Sequence, residues 1–178
     1  MQTSAPVDVV IRNIGQLMTC TAAGEGPLGL RADVVVAAAG GRIRYVGPEA
    51  GLPPVADSAA VIDAEGGLVT PGLVEPHAHP VFAGDRAAEF AMRVEGRTYL
   101  EIQAAGGGIH STVRHTRAAS DAELLAGARG RLTRLLAAGV TTCEAKSGYA
   151  LDVEGELRLL GIIRQLGREG PWELSPTL

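Results

Sequence analysis

The sequence predicts an α/β fold preceded by a small all-β region, and three observations support this prediction. Short β-branched segments separated by Gly and Pro occupy the first 66 residues. From residue 67 onward, strand-like and helix-like segments alternate. A capping box at Ser120 and Glu123 begins a long amphipathic segment within that alternation. This order favours parallel strands with right-handed crossovers, which a closed barrel and a doubly wound sheet satisfy equally well.

The composition is that of a globular protein with one ordinary core and a small second layer. The 178 residues are 46% hydrophobic and carry a formal net charge of -4, with a pI near 5.6. Because no basic field would concentrate a polyanion, nucleic acid is not an expected partner. Cys20 and Cys143 form no paired metal spacing and indicate buried thiols in a reducing compartment. Since the chain has no apolar run of about 18 residues, we expect no membrane partner and a cytoplasmic location.

The first 66 residues contain only strand signals. Residues 7–12 are β-branched and predict a strand, and residues 32–46 predict a β-hairpin whose turn contains two adjacent glycines. A further short strand is predicted at 61–63. A free-standing β module is the alternative, but strands this short bury little surface and need a partner. We therefore assign residues 1–66 to a small N-terminal β domain.

Beyond residue 66 the predicted elements follow one another in a regular order. They are a strand ending at His79, a short helix over 98–105, a helix from Ser120 to Gly139, a strand over 140–145, a helix opened by Asp152, and a last strand from Trp172. The sequence stops within this pattern, so we expect it to be the front part of a longer protein.

The apolar run that begins at Gly67 ends in two histidines, His77 and His79. In an extended chain, residues i and i+2 project from the same face, so both imidazoles are expected to point the same way. Two such neutral nitrogen donors at a strand end are suitable first ligands for a Zn or Fe ion. The alternative is a pair of solvated loop histidines.

Several further motifs carry a family resemblance. They are Phe82–Arg86, Tyr99–Ile102, Gly106–Ile109, Ser111–Arg114, Thr116–Ser120 and Lys146–Tyr149. Together with the His-x-His pair, they resemble the metal-dependent amidohydrolase superfamily, and within it the members that open the imidazolone ring in histidine degradation. The resemblance implies a (β/α)8 TIM-like barrel, of which residues 67–178 form the first, truncated βα units, beside a small N-terminal β-sandwich over 1–66.

The resemblance also implies a chemistry. One Zn or Fe ion on His77 and His79 would lower the pKa of bound water towards about 7, and the ring C–N bond of 4-imidazolone-5-propanoate would open to N-formimidoyl-L-glutamate. Arg86 would hold the propanoate through a guanidinium fork, and Tyr149 would contact the substrate. A third metal His, a metal Asp and the later catalytic residues would lie beyond Leu178, and the full-length protein would be a homodimer.

Alternatives stand beside each of these roles. Arg86 is otherwise a solvated surface charge, and Tyr149 a half-buried ring with a wet hydroxyl. The alternative functions are hydrolysis of another cyclic amide, or none at all if the chain is a catalytically inert truncated fragment. Lys146 invites a role as a metal-bridging carboxylated lysine, but the resemblance is to a one-metal subtype, so a structural role is expected. We interpret His110 and His115 as loop residues, and the triple glycine before them as a point of close backbone packing or loop mobility.

Overall fold

The computed structural model describes residues 6–178, which form two compact units that divide between Pro71 and Gly72. The predicted domain boundary lies five residues earlier, after residue 66. Within the described range, no helix is both long enough and apolar enough to cross a membrane.

In its described part, from residue 6 onward, the N-terminal unit consists of strands and one 3-10 turn. Its strands are β1 (Val7–Arg12), β2 (Gln16–Met18), β3 (Leu30–Arg31), β4 (Val35–Ala39), β5 (Arg42–Gly47), β6 (Val55–Asp63) and β7 (Leu68–Val69). They form a four-stranded sheet of order β5-β4-β1-β6 and a three-stranded sheet of order β3-β2-β7. The predicted hairpin is confirmed as β4 and β5, joined through Gly40 and Gly41 at positive φ. Strand β6 is longer than predicted and pairs parallel with β1.

The C-terminal unit is a mixed α/β structure, which confirms the predicted alternation. Strands β8 (Leu73–Ala78), β9 (Val140–Lys146) and β10 (Glu173–Thr177) are parallel, in the order β10-β9-β8. The helices are α1 (Ala87–Val94), α2 (Tyr99–Ala104), α3 (Ile109–Ala118), α4 (Asp121–Ala137) and α5 (Val153–Glu169). Helices α4 and α5 contact each other and pack on β9 and β10. The buried core between them includes Val81, Leu124, Leu132, Ala145, Leu159, Ile163 and Leu166.

Local end signals place the two long helices. The Ser120 hydroxyl accepts from the Glu123 backbone NH, and the Glu123 carboxylate accepts from the Ser120 NH, so the predicted capping box is confirmed. Asp152 caps α5 by accepting from the Gly155 NH at 2.8 Å. These caps satisfy backbone donors that the first turn of a helix leaves free.

The sequence predicted a single strand over the apolar run that ends at His79, and this prediction is wrong. The structure divides the run between two strands. Leu68–Val69 pairs with β2 in the N-terminal unit, whereas Leu73–Ala78 pairs with β9 in the C-terminal unit. Pro71 has no NH to offer a ladder, so it interrupts the run. Gly72 then passes close to β9: a Cβ atom there would lie 2.1 Å from Thr141 Oγ1. The division of the chain follows from these two residues.

The interpretation of His110 and His115 as loop residues is wrong, because both lie on α3. Residues five apart on a helix project about 140° apart, since each residue turns the helix by about 100°. Their spacing therefore argued against a shared face, and not against a helix. Gly108, at φ 77°, precedes the helix.

Candidate metal and substrate site

The two predicted metal ligands lie at the carboxyl end of β8. His77 is within the strand, and His79 follows its last residue. Their ring centroids are 5.2 Å apart with planes at 81°, so both rings lie on the same side of the chain. Their role as metal ligands stays a prediction.

The surroundings of the two Nδ1 atoms fit a metal site. Nδ1 of His79 is buried and makes no hydrogen bond to any described residue. Leaving such a group unpaired costs about 1–3 kcal/mol, so a missing partner is expected there. Nδ1 of His77 lies 3.4 Å from Glu144 Oε2 on β9. A carboxylate beside one ring nitrogen is the usual way to orient a ligating histidine and leave its other nitrogen for the metal.

The histidine pair has no third ligand nearby among the described residues. Among residues 6–178, no group of three or more His, Cys, Asp or Glu side chains is placed to hold a metal ion. Catalytic Zn sites normally use three protein ligands. The described chain therefore offers, at most, part of a ligand set.

Tyr149 lies beside this pair. Its ring centroid is 5.1 Å from that of His79 and 5.7 Å from that of Phe82, over which the Arg131 guanidinium stacks at 3.5 Å. Gly148 has φ +122°, and a Cβ atom there would lie 3.2 Å from His79 Cε1. The Lys-Ser-Gly-Tyr motif therefore needs its glycine so that the tyrosine loop can approach the histidine.

A residue absent from the sequence analysis, Glu156, holds the tyrosine loop. Its carboxylate accepts from the backbone NH groups of Gly148, Ala150 and Leu151 at 2.5, 2.8 and 2.8 Å. The side chain lies in the first turn of α5 and is buried. Burial raises the pKa of the Glu156 carboxyl. The hydrogen bonds from the Leu151 NH and the other donors lower it by more than burial raises it, so the pKa lies below its usual value. An acidic residue near a helix start is too common to have revealed this role.

Arg86, the predicted substrate anchor, is not a free solvated charge. Its Nε and Nη2 atoms both donate to Glu89 Oε2, at 2.9 and 2.5 Å. The hydrogen bond from Arg86 lowers the pKa of Glu89, and the same bond raises the pKa of Arg86. The sequence gives no sign of this role of Glu89, because an Arg and a Glu three residues apart at a helix start are usually an exposed pair.

Arg86 lines a cleft of about 270 Å³ in the α1–α3 region. Asp85, Ser111, Arg114 and His115 also line it, and the two histidines of the pair and Tyr149 do not. The structure thus brings His77, His79 and Tyr149 together and places Arg86 in a neighbouring part of the same unit. Lys146 donates a hydrogen bond to the main-chain oxygen of Leu178, and the structural role expected for it stays a prediction.

Solved structures show which fold the chain shares with known proteins. A mutant of atrazine chlorohydrolase from Arthrobacter aurescens, complexed with zinc and atraton, superposes with a TM-score of 0.56 and 17% identity, covering 96% of this chain and 35% of that one. Molinate hydrolase gives a TM-score of 0.54 at 20% identity, covering 97% and 30%. The chain therefore shares its mixed α/β fold with part of these solved hydrolases.

Curated sequences identify the relatives more narrowly. The imidazolonepropionase of Myxococcus xanthus is 52% identical over 178 residues, which is 97% of this chain and 42% of the relative. That of Caulobacter vibrioides is 53% identical over 153 residues, covering 86% and 38%. No family model matches the chain. The chain is thus related to an N-terminal portion of the imidazolonepropionases and spans about two fifths of their length. This similarity confirms the family resemblance predicted from the sequence motifs.

Proposed function

We propose that the protein containing this chain is an imidazolonepropionase. It hydrolyses the ring C–N bond of 4-imidazolone-5-propanoate and yields N-formimidoyl-L-glutamate, a step of histidine degradation. The observation that carries this proposal is the 52% identity to an imidazolonepropionase over 97% of the chain. That span includes the His-x-His pair, Arg86 and the Lys-Ser-Gly-Tyr motif.

His77 and His79 would hold one Zn or Fe ion, with the remaining ligands supplied from outside this chain. The unpaired Nδ1 of His79 and the shared orientation of the two rings support this assignment. When bound, the ion supplies a Lewis acid that makes water nucleophilic at neutral pH. Glu144, beside His77 Nδ1, would orient that ring and keep its Nε2 lone pair available.

Arg86 and Tyr149 would bind the substrate. Arg86 keeps donors that Glu89 does not use, and its side chain is 41% exposed, so a carboxylate can reach it. Packed against His79, Tyr149 would border the ring of the substrate and exclude water from one side.

The architecture we propose is a (β/α)8 barrel preceded by a small β-sandwich. The parallel strands β8, β9 and β10 would be its first three strands, since they are neighbours in chain order and helices connect them. In such barrels the active site lies at the carboxyl ends of the strands, which is where His77, His79 and Tyr149 lie. The complete protein would be a cytoplasmic homodimer.

The complete gene product tests this proposal. The expected result is ring opening that stops on chelation and returns with added Zn or Fe, together with loss of bound metal in His77→Ala and His79→Ala. Arg86→Ala should raise KM sharply while leaving kcat nearly unchanged. If the metal-free protein opens the ring at its normal rate, the proposal is wrong. If Arg86→Ala leaves the preference for acidic substrates unaltered, the protein is a hydrolase of another cyclic amide.

A chain of residues 1–178 alone is expected to be inert. Its described residues hold two candidate ligands and no third, and two histidines bind a metal weakly. Turnover by purified residues 1–178 would contradict the assignment of the missing ligands to a later part of the protein.

A further inference from the structure

We propose that Glu89 is a positioning residue that determines which edge of Arg86 meets the substrate carboxylate. The inference rests on the proposed function, because it takes Arg86 as the propanoate anchor. It goes further by naming the edge of the guanidinium group that is used and the residue that fixes it.

Glu89 has the environment of a residue that holds another in place. It lies in the first turn of α1 and is only 7% exposed. A carboxylate buried to this extent needs full compensation by hydrogen bonds or opposite charge. Oε2 receives both donors from Arg86, and Oε1 receives the backbone NH of Gly108 at 2.9 Å. Each oxygen therefore has its own partner, and the side chain cannot rotate without losing one.

The contact uses one particular edge of the guanidinium group. Nε and the Nη2 hydrogen on the same side both point at Glu89 Oε2. Nη1, with two hydrogens, and the second hydrogen of Nη2 have no part in that contact. The second hydrogen of Nη2 and the Nη1 hydrogen beside it form the end-on edge, which can donate two parallel hydrogen bonds to a carboxylate. Glu89 thus presents Arg86 to a ligand end-on.

The triple glycine at 106–108 also helps to hold Glu89 in place. Gly107 passes so close that a Cβ atom there would lie 3.0 Å from Glu89 Cδ and 2.8 Å from Ile102 Cγ2. Gly108 has positive φ and donates to Glu89. Close backbone packing, one of the two roles expected for these glycines, therefore has a specific cause: it brings a backbone donor to the buried carboxylate.

Charge and position make opposite predictions for Glu89→Gln. Removing the negative charge leaves the positive charge of Arg86 without its neutralising partner. A purely electrostatic effect would therefore lower KM for an anionic substrate. Glutamine, however, has one acceptor oxygen and a donating amide, which cannot serve both Arg86 and the Gly108 NH. If Glu89 acts by position, Glu89→Gln raises KM, and kcat changes little, because the propanoate is remote from the bond that breaks.

A double-mutant cycle in the complete, metal-loaded protein tests the inference. We expect Glu89→Gln to raise KM for 4-imidazolone-5-propanoate about tenfold, and to have no further effect when Arg86 is already alanine. Glu89→Asp, which keeps the charge but is one methylene shorter, should raise KM by a smaller factor in the same background-dependent way. Glu123→Gln, on the exposed capping box of α4, is the matched control and should leave KM unchanged.

Three outcomes would overturn the inference: a lowered KM, a change confined to kcat, or an equal rise in KM with and without Arg86. Glu89→Asp decides the matter if Glu89→Gln does not fold, as judged by its thermal unfolding. A wild-type protein that does not open the imidazolone ring defeats the proposed function. A wild-type protein that opens it but gives an additive cycle defeats only the role of Glu89.

Discussion

Glu89 and Glu156 are both buried carboxylates near the start of a helix, yet they are compensated in different ways. Glu89 pairs with a guanidinium group and one backbone NH, whereas Glu156 receives three backbone NH groups from a single loop. The first arrangement fixes a charged side chain, and the second fixes the shape of the chain. The same residue type therefore positions Arg86 in one region and Tyr149 in the other.

The difference predicts different failures. Loss of Glu89 should alter the presentation of Arg86 and hence substrate binding. Loss of Glu156 should alter the backbone of residues 147–151, including Leu151, which has φ 58°. A side chain other than glycine is strained in that conformation, so the loop depends on its hydrogen bonds to stay there.

The largest effect is expected for Glu156→Ala. The change leaves three buried or half-buried NH groups without their acceptor, and we expect a loss of about 3 kcal/mol in the free energy of unfolding. Chemical denaturation with an unchanged m-value checks this. Glu154→Ala, in the same first turn but exposed, is the matched control and should lie within about 0.5 kcal/mol of wild type. Equal losses in the two variants would refute the role of Glu156.

Glycine substitutions on the two sides should separate the regions next. Gly148→Ala places a Cβ atom 3.2 Å from His79 at φ +122° and should cost about 1–3 kcal/mol while weakening metal binding. Gly107→Ala crowds Glu89 and should instead raise KM. Equilibrium dialysis with Zn and steady-state kinetics distinguish the two effects.

Gly161→Ala is the control for both substitutions. It lies within α5 with open space around it, so it should stabilise the protein by about 0.5–1 kcal/mol. If Gly107→Ala lowered metal affinity as much as Gly148→Ala, the region around Glu89 and the region around Glu156 would not act independently.

Acid should reveal the two carboxylates together. The pKa of Glu89 and that of Glu156 are both lowered on folding, so their stabilisation is present above the unfolded value of about 4.3 and is lost as the pH falls through the folded values. Unfolding free energies measured from pH 6 downward should therefore fall less steeply in Glu156→Gln than in wild type. An unchanged slope would show that folding does not lower the pKa of Glu156.

The smallest effect is expected away from both carboxylates, at Arg131. Its guanidinium stacks on Phe82 and donates to the Pro80 carbonyl at 2.9 Å. Arg131→Met should cost about 1 kcal/mol, mainly through the lost cation–π contact, without changing metal affinity. A thermal unfolding curve together with Zn dialysis checks both parts.

Local signals in the sequence predicted much of this molecule. The hairpin, the capping box at Ser120, and the alternation of strand and helix depend on residues close together in the chain, and each is confirmed. The His-x-His pair is of the same kind, because strand geometry alone directs residues i and i+2 to one side. The interruption between β7 and β8 could have been predicted from Pro71. It was missed because the residues on both sides of Pro71 are apolar and were taken as one strand.

What the sequence by itself determined was therefore the class of fold, the family resemblance and the residues expected to bind metal and substrate. Only the tertiary structure decided that Glu89 and Glu156 are buried and what each one holds. Glu89 depends on Gly108, nineteen residues away, and the Tyr149 loop depends on a helix that begins after it. Periodicity and caps act between neighbours along the chain, whereas the burial of a charge depends on which distant segments supply its partners.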